Sequence, residues 1–162
     1  MEDRKYLRLD DSSSNDWEAV RELFKRMYSR MDEYGLMLPL APDGAEKWLQ
    51  TAQNTAGRFG LVVLAKIGDK PVGFAHGMIK YLPDYLGGFP VGSITHVFVN
   101  DDYTGSGIGK TMVKILEDWF QSKKTHSVEL QVISGNLPAK EFWKKLGYLE
   151  ELLQYRKFAD QW

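Results

Sequence analysis

The chain has 162 residues, of which 43% are hydrophobic and 13% aromatic, so it can bury one good core but is short for two. Its 21 Lys and Arg balance 22 Asp and Glu to a formal net charge of -1, which excludes a global basic surface for nucleic acid or acidic lipid. Because there is no cysteine, disulfides, thiol nucleophiles and Cys-ligated zinc are excluded as well.

The segment that follows Met1, "EDRKYLRLDD", lacks the apolar core of a signal peptide. Nowhere do 18 uncharged apolar residues run together, as a membrane-spanning helix requires. We therefore predict a soluble cytoplasmic protein with neither a membrane nor a nucleic acid as partner, folded as a single domain over residues 1–162.

The first predicted elements are a strand in "KYLRLDD", residues 5–11, and an amphipathic helix within residues 12–35. Apolar residues recur in this helix at every third or fourth position: Trp17, Val20, Phe24, Met27 and Met31. Gly35 is suited to end it. A second helix is predicted to begin near Asp43 and to carry Trp48.

The second half of the chain alternates between predicted strands and helices. "LVVLAKI" and "PVGFAHGMIKY", joined by "GDK", form an antiparallel hairpin, and the loop "LPDYLGGFPVG" leads to a strand at residues 93–99. A glycine-rich loop and a helix follow, then a strand at 127–133, a helix at 136–146 and one or two closing strands at 148–158. This order predicts a mixed α/β sheet with helices on both faces.

The glycine-rich loop "YTGSGIGKT", residues 103–111, contains part of two nucleotide-binding patterns. The P-loop pattern of nucleotide-hydrolysing proteins needs a glycine where Thr104 stands. The dinucleotide pattern G-x-G-x-x-G needs a glycine where the chain has Lys110 or Met112. Both patterns therefore fail.

The arrangement around the loop still favours phosphate. A predicted strand ends at Val99 and a predicted helix begins near Gly107, so free amides and the positive end of the helix dipole face one place. Lys110 would add a charge and Thr111 a hydroxyl donor. An ordinary glycine-rich turn is the alternative interpretation.

Two longer segments carry a family resemblance. "SITHVFVNDDYTGSGIGKTMVKIL" resembles the acetyl-CoA motif of the GNAT superfamily of acetyltransferases, whose [QR]-x-x-G-x-[GA] loop corresponds to residues 104–109. "LQVISGNLPAKEFWKKLGY" resembles the later motif of that family, with its Asn-x-x-Ala, its aromatic pair and its Leu-Gly-aromatic ending. Together the two motifs cover residues 93–148.

The resemblance implies a GNAT-like α/β fold: a mixed, mostly antiparallel central sheet with helices on both faces and acetyl-CoA between two splayed parallel strands, "THVFV" and "ELQVI". It implies a single acetyltransferase domain that moves an acetyl group from acetyl-CoA to the primary amine of a small molecule or peptide by direct attack, without a metal. It also implies that two copies can associate as a homodimer. The implied cofactor-binding residues are Val97, Phe98, Val99, Thr104, Gly105, Ser106, Gly107, Ile108, Gly109, Lys110, Thr111, Asn136 and Trp143.

The sequence departs from the family pattern at three residues. Thr104 replaces the basic or amide residue that opens the loop, Gln131 stands where some members have a glutamate base, and Trp143 stands where a tyrosine often protonates the departing thiolate. His96 is then the candidate base, because an imidazole accepts a proton near neutral pH. Tyr148, or a water, is the candidate acid.

Strand alternation places Thr95 and Val97 on one face and His96 and Phe98 on the other, unless a bulge intervenes. An inert strand histidine is the alternative interpretation of His96. We interpret Phe142 as a core residue, while Trp143 is the ring that would flank the pantetheine arm.

The acceptor is expected to bind the loop before residue 93. Tyr81, Asp84 and Tyr85 are candidates to hold a cationic amine, and His76 is a candidate to line the acceptor pocket. The alternative interpretation is that this loop is an ordinary connection between two strands and has no role in binding. Three alternatives stay open at this point: a coenzyme A-binding or sensory module with little or no catalysis, a transferase of another acyl group, and different acceptor identities.

Overall fold

The computed structural model describes residues 2–11 and 15–162. Its strands are β1 (Arg4–Leu9), β2 (Gly60–Ile67), β3 (Lys70–Tyr81), β4 (Pro90–Val99) and β5 (Val128–Leu130). Its α-helices are α1 (Trp17–Met31), α2 (Gly44–Thr55), α3 (Ile108–Ser122) and α4 (Leu137–Lys145). Short 3-10 helices cover Asp32–Tyr34, Asp84–Leu86, Asp101–Tyr103 and Ala159–Gln161. Within the described ranges, none of the helices has the length and hydropathy needed to cross a membrane.

The five strands form one sheet in the order β1-β2-β3-β4-β5. All neighbours are antiparallel except β4 and β5, which are parallel. This confirms the predicted mixed, mostly antiparallel sheet. The β2–β3 hairpin turns at residues 68–69, as "GDK" predicts, where Gly68 takes a left-handed φ of 58°.

Helices cover both faces of the sheet, as predicted, because β2 alternates between two cores. Leu61 and Val63 pack in one cluster with α3 and α4, while Val62 and Leu64 pack in the other with α1 and α2. The first cluster is centred on the apolar stripe of α3: Ile108, Met112, Val113, Leu116, Trp119 and Phe120. The second is centred on the stripe of α1: Trp17, Val20, Leu23, Phe24 and Met27.

The predicted closing strands at 148–158 are not formed, and this prediction is wrong for the single chain. After β5 the chain forms α4 and then no strand, and every residue from 149 to 162 is exposed. The residues of this segment have an intrinsic preference for the strand conformation, but a strand also needs a neighbouring strand to pair with. β5 is likewise shorter than predicted, because its pairing with β4 ends at Leu130.

Candidate active site

The parallel strands β4 and β5, at one edge of the sheet, separate partway along β4. Their pairing runs from Gly92 opposite Val128 to Ile94 opposite Leu130 and then stops. β4 continues to Val99 with only β3 paired to it among the described strands. The predicted splaying of the two strands is therefore confirmed.

The splayed part of β4 has peptide groups that face the opening. Beyond the end of β4, the N–H of Asn100 donates to the carbonyl of Val72 at 2.8 Å, toward β3. Successive peptide groups of a strand point to opposite sides, so those of Val97 and Val99 point away from β3. They supply donors and acceptors at the edge that β5 leaves uncovered.

A β-bulge at Thr95 changes which side chains share a face. His76 pairs with His96, and Gly77 pairs with Ile94, so Thr95 is the extra residue. As a result Ile94 and Val97 both pack against the α3 and α4 cluster, whereas regular alternation would separate them.

Thr95 joins two histidines. Its hydroxyl lies 2.5 Å from Nδ1 of His76 and 2.8 Å from Nδ1 of His96, and it donates to the carbonyl of His76 at 3.2 Å. A hydroxyl has one hydrogen and two lone pairs, so with that hydrogen given to the carbonyl both rings donate through Nδ1. Each imidazole then presents Nε2 as an acceptor, and Nε2 of His76 is buried with no hydrogen-bond partner among the described residues.

Aromatic rings surround the two histidines. The centroid of the His96 ring lies 5.3 Å from that of Phe24 and 5.4 Å from that of Trp48, which also packs edge-on against His76 at 5.4 Å. Burial lowers the pKa of His76 to about 3, with the neighbouring His96 adding to the effect, and lowers the pKa of His96 to about 4. Both imidazoles are therefore neutral at pH 7.

The glycine-rich loop forms an amide-lined turn between the 3-10 helix Asp101–Tyr103, which follows β4, and α3. Gly105 and Gly107 have φ angles of 77° and 90°, a left-handed region that favours glycine. α3 begins at Ile108, and Thr111 is the first residue whose N–H reaches a carbonyl of this turn, that of Gly107, at 3.1 Å. The preceding amides point out of the helix, beside the exposed Lys110.

Three hydroxyl groups in and beside this turn donate hydrogen bonds to main-chain carbonyls. Thr104 donates to the carbonyl of Asp101 at 3.0 Å, Ser106 donates to the carbonyl of Tyr103, and Thr111 donates to the carbonyl of Gly107 at 3.0 Å. Each hydroxyl hydrogen is thus held by the main chain. The donors left for an anion are the amides and Lys110, so the predicted hydroxyl contribution of Thr111 is engaged elsewhere in this structure.

Arg4 is a neighbour of the loop that the sequence did not reveal. Its guanidinium donates to the carbonyl of Ser106 at 2.8 Å and also pairs with Glu2 at 3.3 Å. A second link ties α1 to the end of β4, where Arg26 donates to the amide oxygen of the buried Asn100 at 2.8 Å. These contacts join residues 74 to 102 positions apart, so no local sequence pattern reports them.

Of the aromatic pair of α4, Phe142 packs against the core cluster as predicted, whereas Trp143 lies deeper than a ring that flanks a cofactor would. Trp143 is 9% exposed and belongs to the core cluster, so little of its ring is available to a cofactor. Phe142 is half-buried, and its ring lies 3.6 Å from where a Cβ on Gly109 would stand. Asn136 caps α4 as predicted, because its side-chain oxygen accepts the N–H of Ala139 at 3.1 Å.

Tyr148 lies at the edge of the core, with its ring 5.1 Å from that of Trp143. Burial raises the pKa of its phenol, and the charge of Glu117 on α3 and a hydrogen bond to that carboxylate add to the rise. The phenol therefore keeps its proton at neutral pH and points it toward Glu117.

The predicted acceptor residues are not brought together with His96. Tyr81, Asp84 and Tyr85 lie before β4, at the end of the strand opposite the glycine-rich loop, and both tyrosines are largely exposed. From Pro90 to Thr95 the strand covers about 17 Å at roughly 3.3 Å per residue. His76 is 2% exposed and so has almost no surface to offer an acceptor directly.

The segment after β5 packs closely against the 3-10 helix Asp32–Tyr34 that follows α1. A Cβ placed on Gly135 would lie 2.4 Å from the carbonyl oxygen of Tyr34, so only glycine fits this approach. We predict that Gly135→Ala lowers the free energy of unfolding by about 1–3 kcal/mol, measured by urea denaturation. Gly109→Ala is the matched control, because its Cβ would have ordinary contacts at 3.6 Å and longer. Equal stability of the two variants would contradict this contact.

Comparisons with known proteins agree on one family. The model of the acetyltransferase (GNAT) family matches residues 17–148. The uncharacterized N-acetyltransferase MJ1207 of Methanocaldococcus jannaschii is 27% identical over 139 residues, which are 86% of this chain and 59% of that protein.

Solved structures share the fold. Aminoglycoside N-acetyltransferase AAC(6')-Iy in complex with CoA has a TM-score of 0.77 at 16% identity and covers 97% of this chain and 96% of its own. Glucosamine-6-phosphate N-acetyltransferase from Arabidopsis thaliana has a TM-score of 0.69 at 18% identity, with coverage of 98% and 99%. At these identities the likeness concerns the fold.

Proposed function

Because the chain belongs to the acetyltransferase (GNAT) family, we propose that it transfers an acetyl group from acetyl-CoA to the primary amine of a small molecule or peptide. One observation carries the proposal. The uncovered edge of β4, with the peptide groups of Val97 and Val99, leads directly into the amide-lined turn at residues 105–110. A long, polar cofactor that ends in a pyrophosphate matches such a slot and turn.

In this proposal the cofactor replaces β5 as the neighbour of the splayed part of β4. The amide groups of the pantetheine arm pair with Val97 and Val99, and Phe98 continues the strand between them. The pyrophosphate binds the amides from Gly105 to Lys110, with the lysine as a further charge. The half-buried ring of Phe142 is better placed than Trp143 to contact the arm, since it lies beside Gly109.

The proposed reaction is a direct attack. The amine nitrogen forms a bond to the thioester carbon, the C–S bond breaks with its electron pair leaving on sulfur, and one proton leaves the nitrogen. An amide in the splayed part of β4, near Val99, stabilises the negative charge that develops on the carbonyl oxygen. We propose His96 as the group that accepts the proton, at its Nε2.

The low pKa of His96 constrains when it acts. A free alkylammonium has a pKa near 10.4, so an imidazole with a pKa of about 4 cannot hold a proton taken from it. The amine must therefore arrive neutral, and His96 acts after the bond to carbon forms, when the nitrogen becomes positive and more acidic. Thr95 and His76 support this role, because the hydroxyl that links the rings keeps Nε2 of His96 free.

The thiolate of coenzyme A is a good leaving group and needs little acid catalysis. A thiolate with a pKa near 8.5 departs without full protonation. Tyr148 remains the proposed acid on the basis of the family resemblance, but its raised pKa makes full proton transfer to the thiolate unfavourable, so its proposed role is to donate a hydrogen bond to the departing sulfur. To reach the sulfur, Tyr148 must give up its hydrogen bond to Glu117. A water molecule is the alternative proton donor to the thiolate.

The acceptor class is proposed from two sources. The structural neighbours are named as N-acetyltransferases of aminoglycosides and of glucosamine-6-phosphate. Both kinds of acceptor are polar small molecules that carry amino groups. Asp84, Tyr81 and Tyr85 stay proposed acceptor contacts, and from their end of β4 they would suit the far end of an extended amine rather than the reacting nitrogen. His76 is proposed to act through Thr95 instead of by contact.

Acetyl-CoA binding is tested first by thermal denaturation. At about 100 times its dissociation constant, acetyl-CoA should stabilise the protein by about 2.7 kcal/mol, or roughly 5–10 °C in Tm. ATP with magnesium should give no shift. Gly107→Ala should reduce the acetyl-CoA shift, whereas Gly35→Ala should not, although both glycines have similar left-handed φ angles and open space around them.

Two results would contradict the proposal. A shift with ATP and magnesium but none with acetyl-CoA would favour a nucleotide enzyme. Binding of acetyl-CoA with no release of free thiol across a panel of amines would favour a coenzyme A-binding module, the alternative that the buried Trp143 at the family's tyrosine position supports.

A further inference from the structure

The peptide group between Ser106 and Gly107 is held by one contact from a distant part of the chain. Its carbonyl oxygen accepts a hydrogen bond from the guanidinium of Arg4 on β1 at 2.8 Å. Its N–H, which belongs to Gly107, has no hydrogen-bond partner among the described residues. One side of this peptide group therefore meets a cation, and the other side presents a free donor.

The direction of that free donor follows from the planarity of the peptide bond. The bond is trans, so its C=O and its N–H point in opposite directions and fixing one fixes the other. Because the carbonyl of Ser106 is turned toward Arg4, the N–H of Gly107 points away from β1, at the residue before α3 begins. Glycine has wide conformational freedom, and the contact with Arg4 limits it here.

The register of β1 brings Arg4 to this place. Arg4 and Tyr6 share a face of the strand, and Tyr6 packs against the cluster that contains α3. Arg4 pairs with Ile67 at the end of β2. One nitrogen of its guanidinium contacts Glu2 at 3.3 Å, while the other donates to Ser106. The guanidinium is therefore held at two points beside the glycine-rich loop.

The loop has no charged side chain of its own around this peptide group. Residues 104–107 are Thr, Gly, Ser and Gly. The hydroxyl of Thr104 donates to the carbonyl of Asp101, and that of Ser106 donates to the carbonyl of Tyr103. Neither hydroxyl donates to the carbonyl of Ser106. The cation that contacts this peptide group comes from Arg4, which lies 102 positions away in the sequence.

On the basis of the proposed binding of acetyl-CoA, we propose that Arg4 is a positioning residue for the cofactor. Through the carbonyl of Ser106 it directs the N–H of Gly107 toward the pyrophosphate and strengthens that N–H as a donor. A hydrogen bond from a cation to a carbonyl polarises the peptide group, which makes its N–H more positive. Arg4 itself does not contact the cofactor.

The test is the affinity of the full chain for coenzyme A, measured by isothermal titration calorimetry. Arg4→Met removes the donor, keeps a long side chain and should weaken binding about five- to tenfold, the value of one hydrogen bond. Arg4→Lys keeps a cation that can donate to a single carbonyl and should restore most of the affinity.

Arg8→Met is the matched control. It removes the same charge from the same face of β1, about 13 Å from Arg4 at roughly 3.3 Å per residue. Its affinity for coenzyme A should equal that of the wild type. Without ligand, all three variants should have the Tm of the wild type.

Two readouts separate positioning from direct contact with the cofactor. In Arg4→Met the KM for acetyl-CoA should rise while kcat stays within about twofold of the wild type, because the loop does not touch the reacting carbon. Dephospho-coenzyme A keeps the pyrophosphate but lacks the ribose phosphate. Its affinity should fall by the same factor as that of coenzyme A.

The outcomes distinguish this role from the proposed function. Equal affinity of the wild type and Arg4→Met for coenzyme A would overturn the role of Arg4 alone, as would an equal loss in Arg8→Met. A loss that dephospho-coenzyme A does not share would indicate contact with the ribose phosphate and would overturn positioning. A wild type that binds neither molecule would reject the proposed function, and the role of Arg4 with it.

Discussion

Replacing His96 with glutamine is expected to lower kcat about 100-fold or more at pH 7, because glutamine cannot take the proton that leaves the amine. Glutamine keeps a polar side chain of similar reach beside Thr95, whose hydroxyl contacts the imidazole at 2.8 Å. The affinity for acetyl-CoA should change little, since His96 and Phe24 lie on the α1 and α2 side of the sheet. Thiol release is the measurement, with the best acceptor from the amine panel.

The control for this substitution is His126→Gln, which changes an exposed histidine beside Phe89. Its kcat should equal that of the wild type. If His96→Gln retains a rate within about threefold of the wild type, His96 is not the base. If His96→Gln instead loses both its activity and the acetyl-CoA thermal shift, the residue supports the structure rather than the proton transfer.

Acid is expected to destabilise the protein through His76. The pKa of His76 in the folded chain is about 3, below the ordinary value near 6.5. Between these two pH values the His76 imidazole is protonated in the unfolded chain but neutral in the folded chain. The contribution of His76 is complete above pH 6.5 or so and is lost as the pH falls toward 3. Between pH 6.5 and 4 this loss amounts to about 3 kcal/mol at 1.36 kcal/mol per unit.

The measurement compares the free energy of unfolding at several pH values for the wild type and for His76→Phe. Other ionisable groups of a protein also bind protons in acid, so the difference between the two proteins is the informative quantity. The variant should have a shallower slope by up to one proton between pH 6.5 and 4. Equal slopes for the wild type and His76→Phe would refute the prediction.

Much of the fold follows from local patterns in the sequence. Leu61, Val62, Val63 and Leu64 form a continuous apolar run, which is typical of a strand buried on both faces, and in the structure they alternate between the two cores. Gly107 and Asn136 stand at the starts of α3 and α4 because their backbone and capping preferences act over a few residues. These features need no knowledge of the rest of the chain.

Other features depend on contacts that the sequence does not encode locally. The bulge at Thr95 adds one residue to β4 without disturbing its β-branched character, so the strand is predictable while the change of face after Ile94 is not. The approach of Gly135 to Tyr34 and the bond from Arg4 to Ser106 join distant positions. Trp143 and Phe142 are adjacent aromatic residues on one helix, and only the packed neighbours decide which is buried.

The short pairing between β4 and β5 has a consequence for the size of the acyl group that the proposed reaction can accept. Backbone hydrogen bonds fix the separation of the two strands only as far as Ile94 and Leu130. Beyond these residues the described strands β4 and β5 no longer pair, and the ring of Phe142 and the side chain of Val99 both lie within 4 Å of where a Cβ on Gly109 would stand. We infer that in the proposed reaction the size of the side chain at Phe142 limits how bulky a thioester can fit beside Val99.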